Sequence, residues 1–178
     1  MKVDPNYTPY VLGLDPSGPN LTSRLLLVLA RGVRMWHWVD PVRREKLPPL
    51  FVLSPDPGRA DAIISWVPSL PVSPPKDEDS FPRPTLARVQ FNDGLTPRVH
   101  LSLEMFVEAP TNEPRNVAHE LGHLGGLAHQ PAGIMADTLG VTGVEVRQDL
   151  RERVAANLVR MRNGVTPDQL LLEAAKEP

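Results

Sequence analysis

The sequence predicts a single α+β domain, because helical and strand patterns occur together in one chain of ordinary globular composition. The chain has 178 residues, 41% of them hydrophobic and 22% charged. These values suit one folded domain and argue against disorder. Apolar residues recur at helical spacing in long segments. Short β-branched or aromatic runs, bounded by proline and glycine, have the pattern of strands.

The first elements follow from capping and apolar spacing. Residues 1–19 are rich in Pro, Gly, Asn and Asp, and they predict an extended leader lying on the core. Asn20 can cap a helix that runs to about Trp38, since one apolar stripe follows at helical spacing. The runs Leu50–Leu53 and Ala62–Val67 predict two strands.

A proline-rich stretch precedes the remaining elements. Residues 68–84 contain six prolines and the acidic residues 77–79, and they predict a long surface loop. Residues 86–91 and 98–107 predict two strands, because Asn-Asp-Gly at 92–94 is a strong turn signal between them. Helices are expected at Pro114–Leu124, at Val144–Met161 and after the capping-box residues Thr166 and Gln169.

Charge, cysteine content and hydropathy exclude several classes of protein. Lys and Arg total 19 against 21 Asp and Glu, so there is no basic excess to attract nucleic acid. The absence of cysteine excludes a disulfide scaffold, a thiolate zinc site and a cysteine nucleophile. No apolar run reaches the roughly 20 residues of a membrane span. No signal peptide is visible, which suits a cytoplasmic protein or the mature domain of a secreted one.

The segment His119–His129, with the sequence HELGHLGGLAH, carries the chemistry. His119 and His123 are four residues apart on a predicted helix, so both can reach one ion. Gly126 permits a sharp turn that brings His129 back as a third ligand. Three neutral imidazoles leave one position of tetrahedral zinc for water, which is typical of catalytic rather than structural zinc.

Glu120 adjoins the first of these histidines, where its carboxylate reaches the metal-activated water without binding the metal. It is therefore the candidate general base, which takes the water's proton and later passes it to the departing amine. The pattern predicts a zinc-dependent endopeptidase. Two alternatives remain open, namely a catalytically silent module that binds zinc or protein, and a proenzyme whose leader blocks the metal through Asp4 or Asp15.

The motif followed by Gly133, Ile134 and Met135 resembles the metzincin zinc peptidases, whose signature is H-E-x-x-H-x-x-G-x-x-H plus a methionine turn. The resemblance implies a twisted mixed sheet with a long first helix and an active-site helix. It implies His119, His123 and His129 as zinc ligands, Glu120 as the general base and Met135 as the Met-turn residue below the metal. It also implies an upper subdomain of about 1–129 and a small lower subdomain of about 130–178.

The order of elements over residues 20–160 is similar to that of the matrixin branch. In that branch an antiparallel edge strand holds an extended protein or peptide substrate by main-chain hydrogen bonds, and the residues that would do so here are Leu86, Ala87, Arg88 and Val89. Residues 136–146 would wall the pocket for the side chain after the cut, and Leu139 and Val141 predict that this pocket is apolar.

We expect one catalytic Zn²⁺ and a monomer. Calcium at the acidic residues 77–79 is a weaker alternative, because carboxylates on a proline-rich loop are usually a solvated face.

Overall fold

A computed structural model describes residues 7–15, 23–37, 48–71, 87–91, 96–104, 113–130, 133–135 and 146–176. Within these ranges the protein is α+β, with a mixed five-stranded sheet and four helices. The strands are β1 Tyr10–Leu14, β2 Phe51–Ser54, β3 Ala62–Val67, β4 Ala87–Gln90 and β5 Arg98–Ser102. The helices are α1 Ser23–Arg34, α2 Glu113–Leu124, α3 Gln148–Arg162 and α4 Pro167–Ala175.

The strand order in the sheet is β2-β1-β3-β5-β4. β1 pairs in parallel with β2 and β3, and β3 pairs in parallel with β5. β4 alone runs antiparallel, against β5, with Val89 opposite Val99. Parallel neighbours need crossover connections, and α1 lies in the connection between β1 and β2. Among the described strands, the sheet therefore ends at an antiparallel edge strand.

Helices α1 and α2 pack against each other and against strands of the sheet. Gly32 of α1 has no side chain, and a Cβ there would overlap Val117 of α2. Just beyond α1, the indole Nε1 of fully buried Trp36 donates a 2.9 Å hydrogen bond to the carbonyl oxygen of Ala118. The sheet contributes buried side chains to the same core, among them Leu12, Ile64 and Leu101. These contacts fix α2 against the scaffold.

The N-terminal segment differs from its predicted form as an extended leader. Tyr10–Leu14 is a strand inside the sheet, because its backbone pairs on both sides and Leu12 is fully buried. Asp15 accepts a hydrogen bond of 2.9 Å from the Ser65 hydroxyl and one of 3.2 Å from Arg98, so it is held at the sheet. Asp4 lies outside the described residues.

The other predicted helices and strands are present, most of them with shifted ends. The strand at Ala62–Val67 has the predicted bounds. Helix α1 is shorter than expected, since Trp36 lies in a turn after it. Helix α3 begins at Gln148, and Thr166 and Gln169 form the predicted capping box of α4. No described helix combines the length and apolarity that a membrane span requires.

Arg162, at the end of α3, joins the C-terminal helices to the first strand. Its guanidinium donates to the carbonyl oxygens of Thr8 and Pro9 at 2.6 and 2.7 Å and to the Asp61 carboxylate at 2.7 Å. It also lies 5.4 Å from the centroid of the Tyr10 ring. The Asp61 carboxylate in turn accepts from the Val11 amide at 2.8 Å. The ion pair between Arg162 and Asp61 thus links two residues that are far apart in the sequence.

We expect Arg162→Met to lower the free energy of unfolding by about 1–3 kcal/mol, because it leaves partly buried acceptors without their donor. Urea unfolding of the full chain measures the loss. The control is Arg147→Met, which removes an ion pair whose side chains are 65% and 61% exposed, and which should change stability by less than about 0.5 kcal/mol. Equal losses in both variants would contradict the prediction.

Candidate metal centre

Helix α2 places His119 and His123 on one face, and its C-terminal end returns the chain toward them. Gly126 has φ +82°, a conformation that favours glycine. The Gly126 amide donates to the carbonyl oxygen of His123 at 3.0 Å, and the Leu127 amide donates to that of Gly122 at 3.0 Å. This pair of bonds is a Schellman motif. The turn brings His129 to the other two histidines, as the sequence predicts.

Two backbone carbonyls orient the helical histidines. The Nδ1 of His119 lies 2.6 Å from the carbonyl oxygen of Ile134, and the Nδ1 of His123 lies 2.8 Å from that of Leu127. A carbonyl oxygen only accepts, so each Nδ1 carries the proton and donates it. Each Nε2 atom then carries a lone pair that is available to a metal ion. This is the tautomer that metal-ligating histidines adopt.

The Nε2 atoms of the three histidines converge. The Nε2 of His123 lies 3.0 Å from that of His119 and 3.1 Å from that of His129. Both Nε2 atoms are acceptors in this tautomer, so their closeness suits a shared cation rather than a hydrogen bond between the rings. Tetrahedral ligands at the zinc–nitrogen distance of 2.0–2.1 Å are about 3.3 Å apart. The three histidines are thus close enough to bind one metal ion.

Burial keeps the helical histidines neutral. Desolvation lowers the pKa of His123 to about 4, against a hydrogen bond to Leu127 that acts in the opposite direction. Desolvation also lowers the pKa of His119. Both imidazoles are therefore unprotonated at Nε2 at neutral pH, and a metal ion need not displace protons from them.

Glu120 follows His119 in the sequence and is not one of the grouped ligands. Its side chain is buried, and desolvation raises the pKa of its carboxyl group to about 7. Perturbed carboxyl groups of this kind are typical of general bases, since proton transfer is most effective when the pKa is near the working pH.

Met135 is buried under the helix that carries the histidines. A Cβ at Gly122 would overlap its sulfur atom, so the absence of a side chain at Gly122 admits the methionine. The Met135 carbonyl oxygen accepts a 2.9 Å hydrogen bond from the Gln130 amide. That bond joins the segment after His129 to the one whose Ile134 orients His119.

The remaining predicted site residues are only partly described. Ala87, Arg88 and Val89 lie on β4, with Arg88 exposed and its two neighbours partly buried. Leu86, Leu139, Val141 and the acidic residues 77–79 lie outside the described residues. Among the described residues, the three histidines are the one group that could hold a metal ion.

A cleft of about 490 Å³ opens beside His129. Residues 126–130 form one wall, and helices α3 and α4 form the others. Asp149, Glu152 and Arg153 give it a polar lining of mixed charge. The exposed third histidine therefore stands at the rim of an open depression rather than on a flat surface.

Sequence reasoning missed the two carbonyls that orient the histidines. Leu127 and Ile134 act through the backbone, so their side chains carry no signal of the role. It also missed Asn157, whose amide donates to the carbonyl oxygen of Gly125 at 2.9 Å and so ties α3 to the end of α2.

The chain was compared with protein-family models and with curated proteins, and neither comparison gives a match.

We expect Glu120→Gln to stabilise the metal-free protein above neutral pH. The pKa of the Glu120 carboxyl group is 4.5 in the unfolded chain and about 7 in the folded one. Its contribution to the free energy of unfolding is therefore fully present below pH 4.5 and is lost as the pH rises from 4.5 through 7. The difference corresponds to about 3 kcal/mol. Glutamine does not titrate and avoids this loss.

Thermal or urea unfolding of chelator-treated protein at pH 5 and pH 8 measures the effect. The variant should gain most at pH 8 and little at pH 5. The same substitution at Glu104, which is only partly buried, is the control. A Glu120→Gln protein that is equally stable relative to wild type at both values would contradict the assigned cause.

Proposed function

We propose that this chain is a zinc-dependent endopeptidase of metzincin type. The observation that carries the proposal is the convergence of three imidazoles, together with a buried carboxyl at Glu120, the residue after the first of these histidines. A purely structural metal site has no use for such a carboxyl. An open three-histidine site with an adjacent base is the arrangement that metal-assisted hydrolysis needs.

Zinc fits the donor set, because imidazole nitrogens are among its preferred ligands and the His123 Nε2 lies 3.0 and 3.1 Å from the other two, close to the separation in a tetrahedral site. Zinc bound there would polarise a substrate carbonyl and lower the pKa of a water molecule toward 7. His119 and His123 would hold the ion with rings fixed by the Ile134 and Leu127 carbonyls. Ring orientation set by such partners also raises the basicity of the ligating nitrogen.

Glu120 would move the proton. Its carboxylate accepts a proton from the attacking water and returns it to the nitrogen of the departing amine. A pKa of about 7 in the free site lets the group both accept and donate near neutral pH. Burial keeps bulk water from competing for that proton.

Strand β4 would hold the substrate. It pairs with β5 along one edge, and among the described strands none pairs with its other edge. Helix α2, which carries the histidines, packs against β4. An extended peptide added to this edge would make main-chain hydrogen bonds and lie next to the site. The antiparallel edge strand and the methionine below the helix support the metzincin assignment.

We expect the purified chain to bind one zinc ion, and His123→Asn to lose it. Asparagine has an acceptor oxygen but cannot reach the Nε2 position, which leaves two ligands. Elemental analysis after dialysis against trace zinc gives the stoichiometry. His100→Asn serves as the control, since His100 lies on β5 beside Gln90 and should leave the zinc content unchanged. Retention of one zinc by the His123 variant would contradict the assigned ligand set.

We expect the zinc-loaded protein to cut a mixed peptide library, and Glu120→Gln to cut it about 10²–10⁴-fold more slowly, since the general base is lost. Mass spectrometry identifies the cut sites. Glu104→Gln should cut as the wild type does.

Zinc-loaded wild type that cuts no peptide would favour the alternative of a binding module without catalysis. Equal cutting by wild type and Glu120→Gln would mean that another protease is responsible.

A further inference from the structure

The side chains of strand β4 divide between the two faces of the sheet. Ala87 and Val89 are half-buried and pack against the hydrophobic core, with Val89 opposite buried Val99. Arg88 and Gln90 alternate with them and are exposed. Successive side chains of a strand point to opposite faces. Arg88 and Gln90 therefore share the face of the sheet that lies away from the core.

The charges on this face leave the charge of Arg88 uncompensated. His100 lies opposite Arg88 in the pairing of β4 with β5, and its Nε2 is 3.2 Å from the side-chain oxygen of Gln90. Burial lowers the pKa of His100, and the charges of Arg88 and Arg98 act in the same direction, so the imidazole is neutral at pH 7. Arg98 forms an ion pair of 3.2 Å with Asp15. Among the described residues, the Arg88 guanidinium has no hydrogen bond or ion pair.

Strand pairing would place Arg88 beside a bound peptide. Side chains directly opposite each other on paired strands lie on one face, with their Cβ atoms about 4.5–5.5 Å apart. A peptide that pairs with the edge of β4 that no described strand covers would put every second side chain on the Arg88 face. One of these side chains would lie opposite or diagonal to Arg88. The side chains between them would lie on the apolar face, with Ala87 and Val89.

We propose that Arg88 is a specificity-determining residue that selects an acidic side chain, Asp or Glu, in the peptide bound along β4. The inference rests on the proposed peptidase function. A guanidinium forms two parallel charge-assisted hydrogen bonds with a carboxylate, and it stays charged at every working pH. The contact would be open to solvent, so the expected preference is about 2- to 5-fold rather than an absolute requirement.

A charged residue on an edge strand can also serve only to prevent pairing with other copies of the chain. Reversal of the charge distinguishes the two roles. Arg88→Glu keeps a charge on the edge and would protect it equally well. If Arg88 contacts the substrate, the same variant would repel an acidic peptide and favour a basic one.

Matched peptides test the proposal with the zinc-loaded full chain. Around a cut site found with the library, Glu, Gln and Lys are compared at each of the four positions on either side of the bond. Glu and Gln have nearly the same shape and differ in charge. We expect wild type to favour Glu over Gln at one position by about 2- to 5-fold in kcat/KM and to disfavour Lys there. The two adjacent positions should show no preference for Glu, because their side chains would lie on the apolar face.

Two variants and one control complete the test. Arg88→Gln should abolish the preference, and Arg88→Glu should invert it in favour of Lys. Arg59→Glu makes the same change in net charge at an exposed residue before β3 and should retain the wild-type preference. Fluorescently labelled Glu and Gln peptides are also titrated into the metal-free full chain. Their dissociation constants should differ in the same direction, which tests the contact without catalysis.

A preference for Glu that survives in both Arg88 variants, or that Arg59→Glu loses as well, overturns the inference and leaves the peptidase function standing. So does a wild type that cuts peptides without favouring Glu at any position, or a metal-free chain that binds the Glu and Gln peptides equally. Zinc-loaded wild type that cuts no peptide overturns the proposed function, and this inference falls with it.

Discussion

The reversal of the backbone at Gly126 is the constraint on which the rest of the site depends. With φ +82°, this residue turns the chain so that the Leu127 carbonyl oxygen faces His123 Nδ1 and the His129 ring reaches the other two. A side chain at Gly126 would be strained in this conformation and would also meet Asn157 and Leu170. One backbone angle therefore sets both the third ligand and the tautomer of the second.

The groups of the site are brought together by contacts outside it. The Nε2 atoms of His119 and His123 lie 3.0 Å apart, and burial raises the pKa of the Glu120 carboxyl to about 7. Such arrangements persist where surrounding packing over-determines them. Here α2 is held by Trp36, by the Gly32–Val117 contact and by Asn157. The scaffold therefore positions the three histidines close enough to bind one metal ion.

The sequence predicts those features of the fold and site that depend on local spacing. The Ala62–Val67 strand and the turn at Gly126 follow from short-range patterns, and the three histidines meet as their spacing requires. Tyr10–Leu14 was predicted to belong to an extended leader because residues 1–19 are rich in Pro, Gly, Asn and Asp, and only pairing with distant strands makes it β1. The carbonyl of Ile134 could not be predicted, since every residue has one and tertiary structure alone selects it.

The same limit explains why substrate preference is harder to predict than reaction chemistry. Candidate ligands and a candidate general base are conspicuous residue types at fixed spacing in the sequence. The side chains that would line a substrate pocket share no such spacing, because distant segments of the chain have to fold together before they form one surface. The cleft beside His129 illustrates this: its walls combine residues 126–130 with residues of α3 and α4, and no short-range pattern in the sequence links these three segments.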